Sequence, residues 1–145
     1  MAEKSFPDLP PIWMAGAMVA IVMIDRMVPE QGLRLPGFVL MLIGIGLILW
    51  AGSYFQRKNT PIHPGVAPKS LLIEGPFKIN RNPIYTGMAV ILAGFAIATG
   101  AYFGLILVPV FMWIITERFI KGEEALMRQA FPDEAAAYIA ATRRW

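Results

Sequence analysis

The chain contains no cysteine. Disulfides, thiolate nucleophiles and cysteine-ligated metals are therefore excluded. Histidine is nearly as scarce. His63 stands alone, so one chain cannot assemble a histidine-rich metal site, and no metal is expected. Charge is thin as well, with Asp, Glu, Lys and Arg making up 16% of residues. No glycine-rich phosphate loop, nucleophile elbow or metal-ligand spacing occurs. The first residues, Met1 to Pro11, carry Glu3, Lys4 and Asp8 without an arginine-rich start or a small-residue cleavage site. That argues against a removable signal peptide.

Apolar residues are what the chain has in excess. They make up 57% of 145 residues, with a mean hydropathy of +0.55, above the roughly half found in soluble domains. The length suits a single domain over 1–145. The apolar residues are blocked into four runs, about 12–28, 36–55, 83–100 and 101–120. Each approaches the roughly 20 residues a helix needs to cross a hydrocarbon core. Lipid leaves backbone groups unpaired in any other form, so the runs must be helical. The expected fold is all-α and integral to the membrane, with four transmembrane helices followed by cytoplasmic amphipathic C-terminal helices. Gly100-Ala101 leaves almost no loop between the last two runs, which predicts a tight hairpin, and Pro109 predicts a kink.

Thirteen Lys and Arg give a net charge of +3. Ten of the thirteen lie in two segments: Arg57, Lys58, Lys69, Lys78 and Arg81, and then Arg118, Lys121, Arg128, Arg143 and Arg144. Both segments adjoin apolar runs, so lipid headgroups explain them better than nucleic acid does. The positive-inside rule then puts residues 56–82, the C-terminal tail and both termini in the cytoplasm.

The stretch Gly75–Gly87 is polar, basic and punctuated by Pro76 and Pro83 before it enters the third run. Asn82-Pro83 reads as a helix start, with Asn82 as cap and Pro83 giving up an N–H that has no partner anyway. Ahead of it lies a long proline-rich connection holding His63, and a connection of that length hints at function. A loop histidine is more often solvated than catalytic. Gly44-Ile45-Gly46 in the second run permits close approach of either a helix or a ligand. After the fourth run, Glu124 and Arg128 read as a surface pair at helical spacing. Asp133 reads as the cap of a last helix, and Arg143-Arg144-Trp145 as a headgroup-layer ending.

The helix start at Arg81-Asn82-Pro83 and the acidic pair Glu123-Glu124 both fall at the inner ends of the third and fourth runs. A positive site beside a negative one suits a zwitterionic ligand. Arg81 and the helix N–H groups would take a carboxylate, and a Glu an ammonium or a ribose diol. S-adenosylmethionine is such a ligand. Its methyl transfer mainly needs positioning and water exclusion, and the rings of Tyr85 and Phe77 could face its sulfonium.

The motifs Leu71-Leu72-Ile73-Glu74-Gly75-Pro76-Phe77 and Arg81-Asn82-Pro83-Ile84-Tyr85-Thr86-Gly87, with Glu123-Glu124 and the tail positions Phe131 and Tyr138, resemble the isoprenylcysteine carboxyl methyltransferase-like and phospholipid N-methyltransferase-like membrane enzymes. The resemblance covers roughly 44–145. It implies S-adenosylmethionine as cofactor, S-adenosylhomocysteine as product, and a cofactor region over 60–87 and 117–145. The catalytic residues it suggests are Arg81, Asn82, Tyr85 and Glu123. The cofactor-binding set adds His63, Gly44, Gly46, Glu124 and Pro83 to Leu71, Leu72, Ile73, Gly75 and Phe77. Asn82 stands where the prenylcysteine enzymes have His, which resembles the small bacterial and phospholipid members and argues against a prenylcysteine substrate; a bacterial inner membrane is the expected location. The activity expected from the resemblance is carboxylate O-methylation of a lipophilic acceptor entering from the bilayer. The alternatives are N-methylation of a phospholipid amine and a non-enzymatic scaffold that binds anionic lipid.

Overall fold

The computed structural model describes residues 8–28 and 31–145. Lys4 and the Pro29-Glu30 part of the first connection lie outside them. The α-helices are α1 (Pro10–Met27), α2 (Arg34–Arg57), α3 (Pro83–Thr99), α4 (Leu107–Ile115), α5 (Lys121–Ala130) and α6 (Pro132–Ala141). A 3₁₀ turn at Tyr102–Ile106 leads into α4, and a π turn at Thr116–Ile120 joins α4 to α5. No strand occurs among the described residues.

Three helical stretches are long and apolar enough to cross a membrane: Pro10–Met27, Arg34–Arg57 and the 29-residue Tyr102–Ala130. The third expected span is the shorter α3, at 17 residues, about 25 Å long at 1.5 Å per residue. The fourth does not stop near Ile120. With no breaker before Phe131-Pro132, the helix continues through the π turn into the polar residues of α5.

α3 is the central helix. Leu92 and Ala96 are wholly buried, and Gly87, Ala89 and Gly94 are buried with them. By contrast α1 and α2 turn Val19, Met23, Leu42 and Leu49 outward, each more than half exposed, as a lipid-facing surface would. The most extensive packing is of α2 on α3 rather than α3 on α4, and its cause is a seam of glycines. A Cβ on Gly44 would lie 2.6 Å from the Gly87 carbonyl oxygen, and one on Gly94 would lie 2.7 Å from that of Gly37. Backbones that approach this closely tolerate only a hydrogen there. Gly46 faces open space instead.

The chain runs up and down between two ends. At one, Leu33 N–H donates to the Ile97 carbonyl (3.0 Å) and Tyr102 O–H to that of Gln31 (2.9 Å). Gly100 ends α3 there with φ +88°, the left-handed residue a helix terminus favours. Pro109 sits in the first turn of α4, where a missing N–H costs no helical bond. At the other end lie the start of α1, the 58–82 connection, α5, α6 and the tail.

Two expected caps are not made. Asn82 precedes Pro83 as the N-cap of α3, but its side chain makes no cap bond; its amide is drawn away to a carbonyl of the tail. The last helix begins at Pro132 with Phe131 as N-cap, and Asp133 lies inside its first turn, where its charge favours the helix dipole.

Candidate functional site

The 58–82 connection is held open by local bonds. Thr60 Oγ accepts the Lys69 N–H at 2.9 Å and so closes a small loop around His63. Gly75, at φ +57°, starts the 3₁₀ turn Gly75–Lys78 against the Tyr54 ring. That turn drives Phe77 edge-on between Tyr54 and Phe55, at centroid distances of 6.4 and 5.8 Å. Asn80 Oδ1 then accepts the Asn82 N–H at 3.0 Å, an Asx turn that sets the entry into α3. The first hydrogen bond of α3 is from Thr86 N–H to the Asn82 carbonyl. The earlier N–H groups of Ile84 and Tyr85 therefore lie outside the helical ladder.

A cavity of about 400 Å³ opens between this connection, the start of α1 and α5, within the range of small-molecule sites. His63, Leu71, Leu72 and Phe77 line it from the connection, and Arg81, Asn82, Pro83 and Tyr85 from the start of α3. Glu123 and Glu124 line it from α5. Four residues of the expected set are elsewhere. Gly44 packs on α3 and Gly46 faces outward; Ile73 is half exposed; Gly75 lies against Tyr54.

The polar side chains divide into two groups. Arg81 Nη2 donates to Glu124 Oε1 at 2.9 Å, and its Nη1 donates to the carbonyls of Ile139 (2.8 Å) and Thr142. Arg144 grips the same carboxylate from the other side, Nε to Oε1 at 2.9 Å and Nη2 to Oε2 at 2.8 Å. Arg81 N–H donates to the Arg143 carbonyl (2.9 Å) and Asn82 Nδ2 to that of Arg144 (3.0 Å). Trp145 Nε1 donates to Thr116 Oγ at 3.2 Å, at the π turn. Arg81 thus closes the C-terminal end of α6 rather than standing free, and Glu124 pairs with two arginines rather than with Arg128. The Arg143-Arg144-Trp145 ending folds back onto the site. Hydrogen bonding to Glu124 pushes the Arg144 guanidinium pKa above its ordinary value.

The second group is smaller. Tyr85 O–H donates to Glu123 Oε1 at 2.6 Å. Among the described residues Glu123 has no cationic partner within ion-pair distance. Behind both groups, Tyr138 O–H on α6 donates to the Phe77 carbonyl at 2.7 Å, and burial pushes the phenol up to about 12, against the pull of Arg81.

Sequence reasoning alone does not find Asn80, Thr60, Thr116 or the clamp by Arg144. An Asn two residues before a helix start was a readable signal for the Asx turn. The others depend on residues brought together from distant parts of the chain. No cluster of three metal-ligating side chains occurs among the described residues.

The model of a family described as PEMT, phospholipid methyltransferase, matches residues 33–134, more than two thirds of the chain. No curated protein and no solved structure matches it.

Proposed function

Because the chain belongs to the phospholipid methyltransferase family, we propose that it transfers a methyl group from S-adenosylmethionine to the amine of a membrane phospholipid. One observation carries the choice of acceptor. Glu124 is neutralised by Arg81 and Arg144, which leaves Glu123, bonded to Tyr85, as a carboxylate at the cavity without a cation. An ammonium group is attracted there. A carboxylate acceptor, as O-methylation requires, would meet like charge with both nearby arginines already engaged.

The residues present fit the cofactor. The N–H groups of Ile84 and Tyr85 at the α3 terminus suit its carboxylate. The faces of Phe77 and Tyr85 suit a sulfonium, and Leu71 and Leu72 supply apolar wall. S-adenosylmethionine supplies, when bound, an electrophilic methyl on a positively charged sulfur. Arg81, Asn82 and Glu124 act one layer back, fixing the connection, α5 and the tail as one frame. A phospholipid amine arrives as an ammonium and must shed a proton before its nitrogen can attack. Glu123 takes that proton, while the Tyr85 hydroxyl holds its other oxygen in place. The apolar lining excludes water from the methyl in transit.

In the membrane, α3 completes a set of four crossings with the three longer helical stretches. The clustering of Lys and Arg at the cavity end supports a site at the cytoplasmic face. Protein reconstituted with phosphatidylethanolamine and methyl-labelled cofactor tests the reading. Label should appear in lipid and resist mild base. Label released by mild base as volatile methanol would mean a methyl ester and O-methylation. An N-methyl group stays with the headgroup even when the acyl esters are cleaved. No cofactor binding and no transfer would leave the scaffold reading.

A further inference from the structure

A second cavity, about 460 Å³, lies between α1 and α4. Ile12, Trp13, Gly16 and Ala17 line it on α1, facing Val110 and Phe111 on α4. The groove exists because α1 carries its smallest residues there: a Cβ on Gly16 would meet nothing within 4 Å. No polar side chain reaches its body. On α4 it runs from Leu107 to Ile114, about 10 Å along the axis at 1.5 Å per residue. That is about a third of a hydrocarbon core of ~30 Å.

Two features say what fits it. The first is continuity. Leu9, Pro10 and Pro11 line the reaction cavity, and the next residues, Ile12 and Trp13, line the groove. The first turn of α1 is therefore the shared wall of both. The second is polarity at the shared end. Trp13 Nε1 donates to Asp8 Oδ1 at 3.1 Å, Arg118 pairs with Asp8 at 3.0 Å, and the Arg118 guanidinium lies 5.2 Å from the Trp13 ring centroid. The groove is apolar along its body and charged where it meets the cavity, the same order in which an acyl chain meets its headgroup.

We infer that the α1–α4 groove seats the glycerol-proximal part of one acyl chain of the methyl acceptor, with its headgroup turned over Leu9–Pro11 into the reaction cavity. The inference rests on the phospholipid reading above. It makes the start of α1 the element that measures the acceptor. A chain in the groove costs no opening of the bundle, since the groove is already lined by apolar atoms and only bulk lipid must leave it.

The test uses full-length protein in nanodiscs and a phosphatidylethanolamine whose acyl chain carries a diazirine near the glycerol. Photolysis and peptide mass spectrometry should place adducts on residues 12–17 and 107–114. Excess unlabelled phosphatidylethanolamine should suppress them, and excess phosphatidylglycerol should not. Gly16→Phe and, independently, Val110→Phe should each lower adduct yield at least about fivefold. Both should also reduce the preference for long-chain over dihexanoyl acceptor, as a ratio of kcat/KM, by about tenfold or more. Adducts spread over the whole lipid-facing surface, or equal suppression by both lipids, would show ordinary annular lipid and overturn the inference. So would a chain-length preference unmoved in both variants. If the wild-type protein methylates no lipid, the functional reading fails, and the competition between the two lipids still decides the groove.

Discussion

Arg81 and Glu124, 43 residues apart in the chain, are joined by a 2.9 Å charge-assisted bond with 8% and 7% of their side chains exposed. A buried pair of this kind adds little over apolar packing, but breaking it strands a charge. Removing one partner costs about 3–5 kcal/mol. Glu124→Ala would leave both Arg81 and Arg144 without their carboxylate, whereas Arg81→Ala would leave Glu124 still held by Arg144 and release the carbonyls of Ile139 and Thr142. Either variant should lose much of its thermal stability in detergent. The double variant should lose less than the sum of the two, because the pair is removed whole. Additive losses in scanning calorimetry would show that the two residues act separately.

How far the sequence foretells this site depends on range. Pro83 opens α3 because its chemistry is local, a ring that fits the first helical position. Asn82 has equally good local credentials as a cap, yet its amide goes to Arg144, 62 residues away. No local rule weighs that competitor. Gly44 and Gly46 look alike in sequence, and only the packing of α3 on α2 tells them apart: one faces the backbone of α3, the other faces outward. The π turn was invisible for the same reason. Thr116 donates to the Met112 carbonyl at 2.7 Å while accepting from Trp145, so the distortion coincides with a contact from the far end of the chain. The apolar runs, the common end of the basic segments and the Glu123 and Arg81 neighbourhood were all legible, because hydropathy and charge placement need no partner to be known.

The glycine seam yields a paired prediction. At Gly44 an added methyl must push α2 away from α3, so Gly44→Ala should destabilise by about 1–3 kcal/mol. Gly46→Ala adds a methyl into open space and removes a helix-interior glycine, which should be neutral or stabilising by up to about 1 kcal/mol. Cofactor affinity, measured by calorimetry, should stay at the wild-type value in Gly46→Ala. A large loss of affinity there would restore the glycine pair to the cofactor site.

Activity should turn on the Tyr85 and Glu123 pair. Loss of a positioned proton acceptor typically costs about 10²–10⁴-fold in rate, and Glu123→Gln should fall in that range with kcat lowered more than cofactor affinity. Tyr85→Phe keeps the ring and removes only the 2.6 Å bond, so its loss should be smaller. Raising the pH should partly rescue Glu123→Gln, as the acceptor amine sheds its proton to solvent. If Glu123→Gln transfers methyl at the wild-type rate, the carboxylate takes no proton and the amine reading loses its support.

Tyr138 gives the fold a limit on the alkaline side. Its phenol titrates near 12 in the folded chain against an ordinary value of 10.0, because burial disfavours the phenolate. Below pH 10 the hydroxyl is protonated in both states, and its bond to the Phe77 carbonyl is fully present. Between pH 10 and 12 the unfolded chain loses the proton first and so binds fewer protons than the folded one, and stability falls as pH rises. The half-buried position and nearby solvent keep this loss modest. Melting curves of the wild-type protein should shift downward across that window, and part of the shift should vanish in Tyr138→Phe, which has no proton to lose. An identical shift in both proteins would assign the alkaline limit to other groups and leave Tyr138 as packing alone.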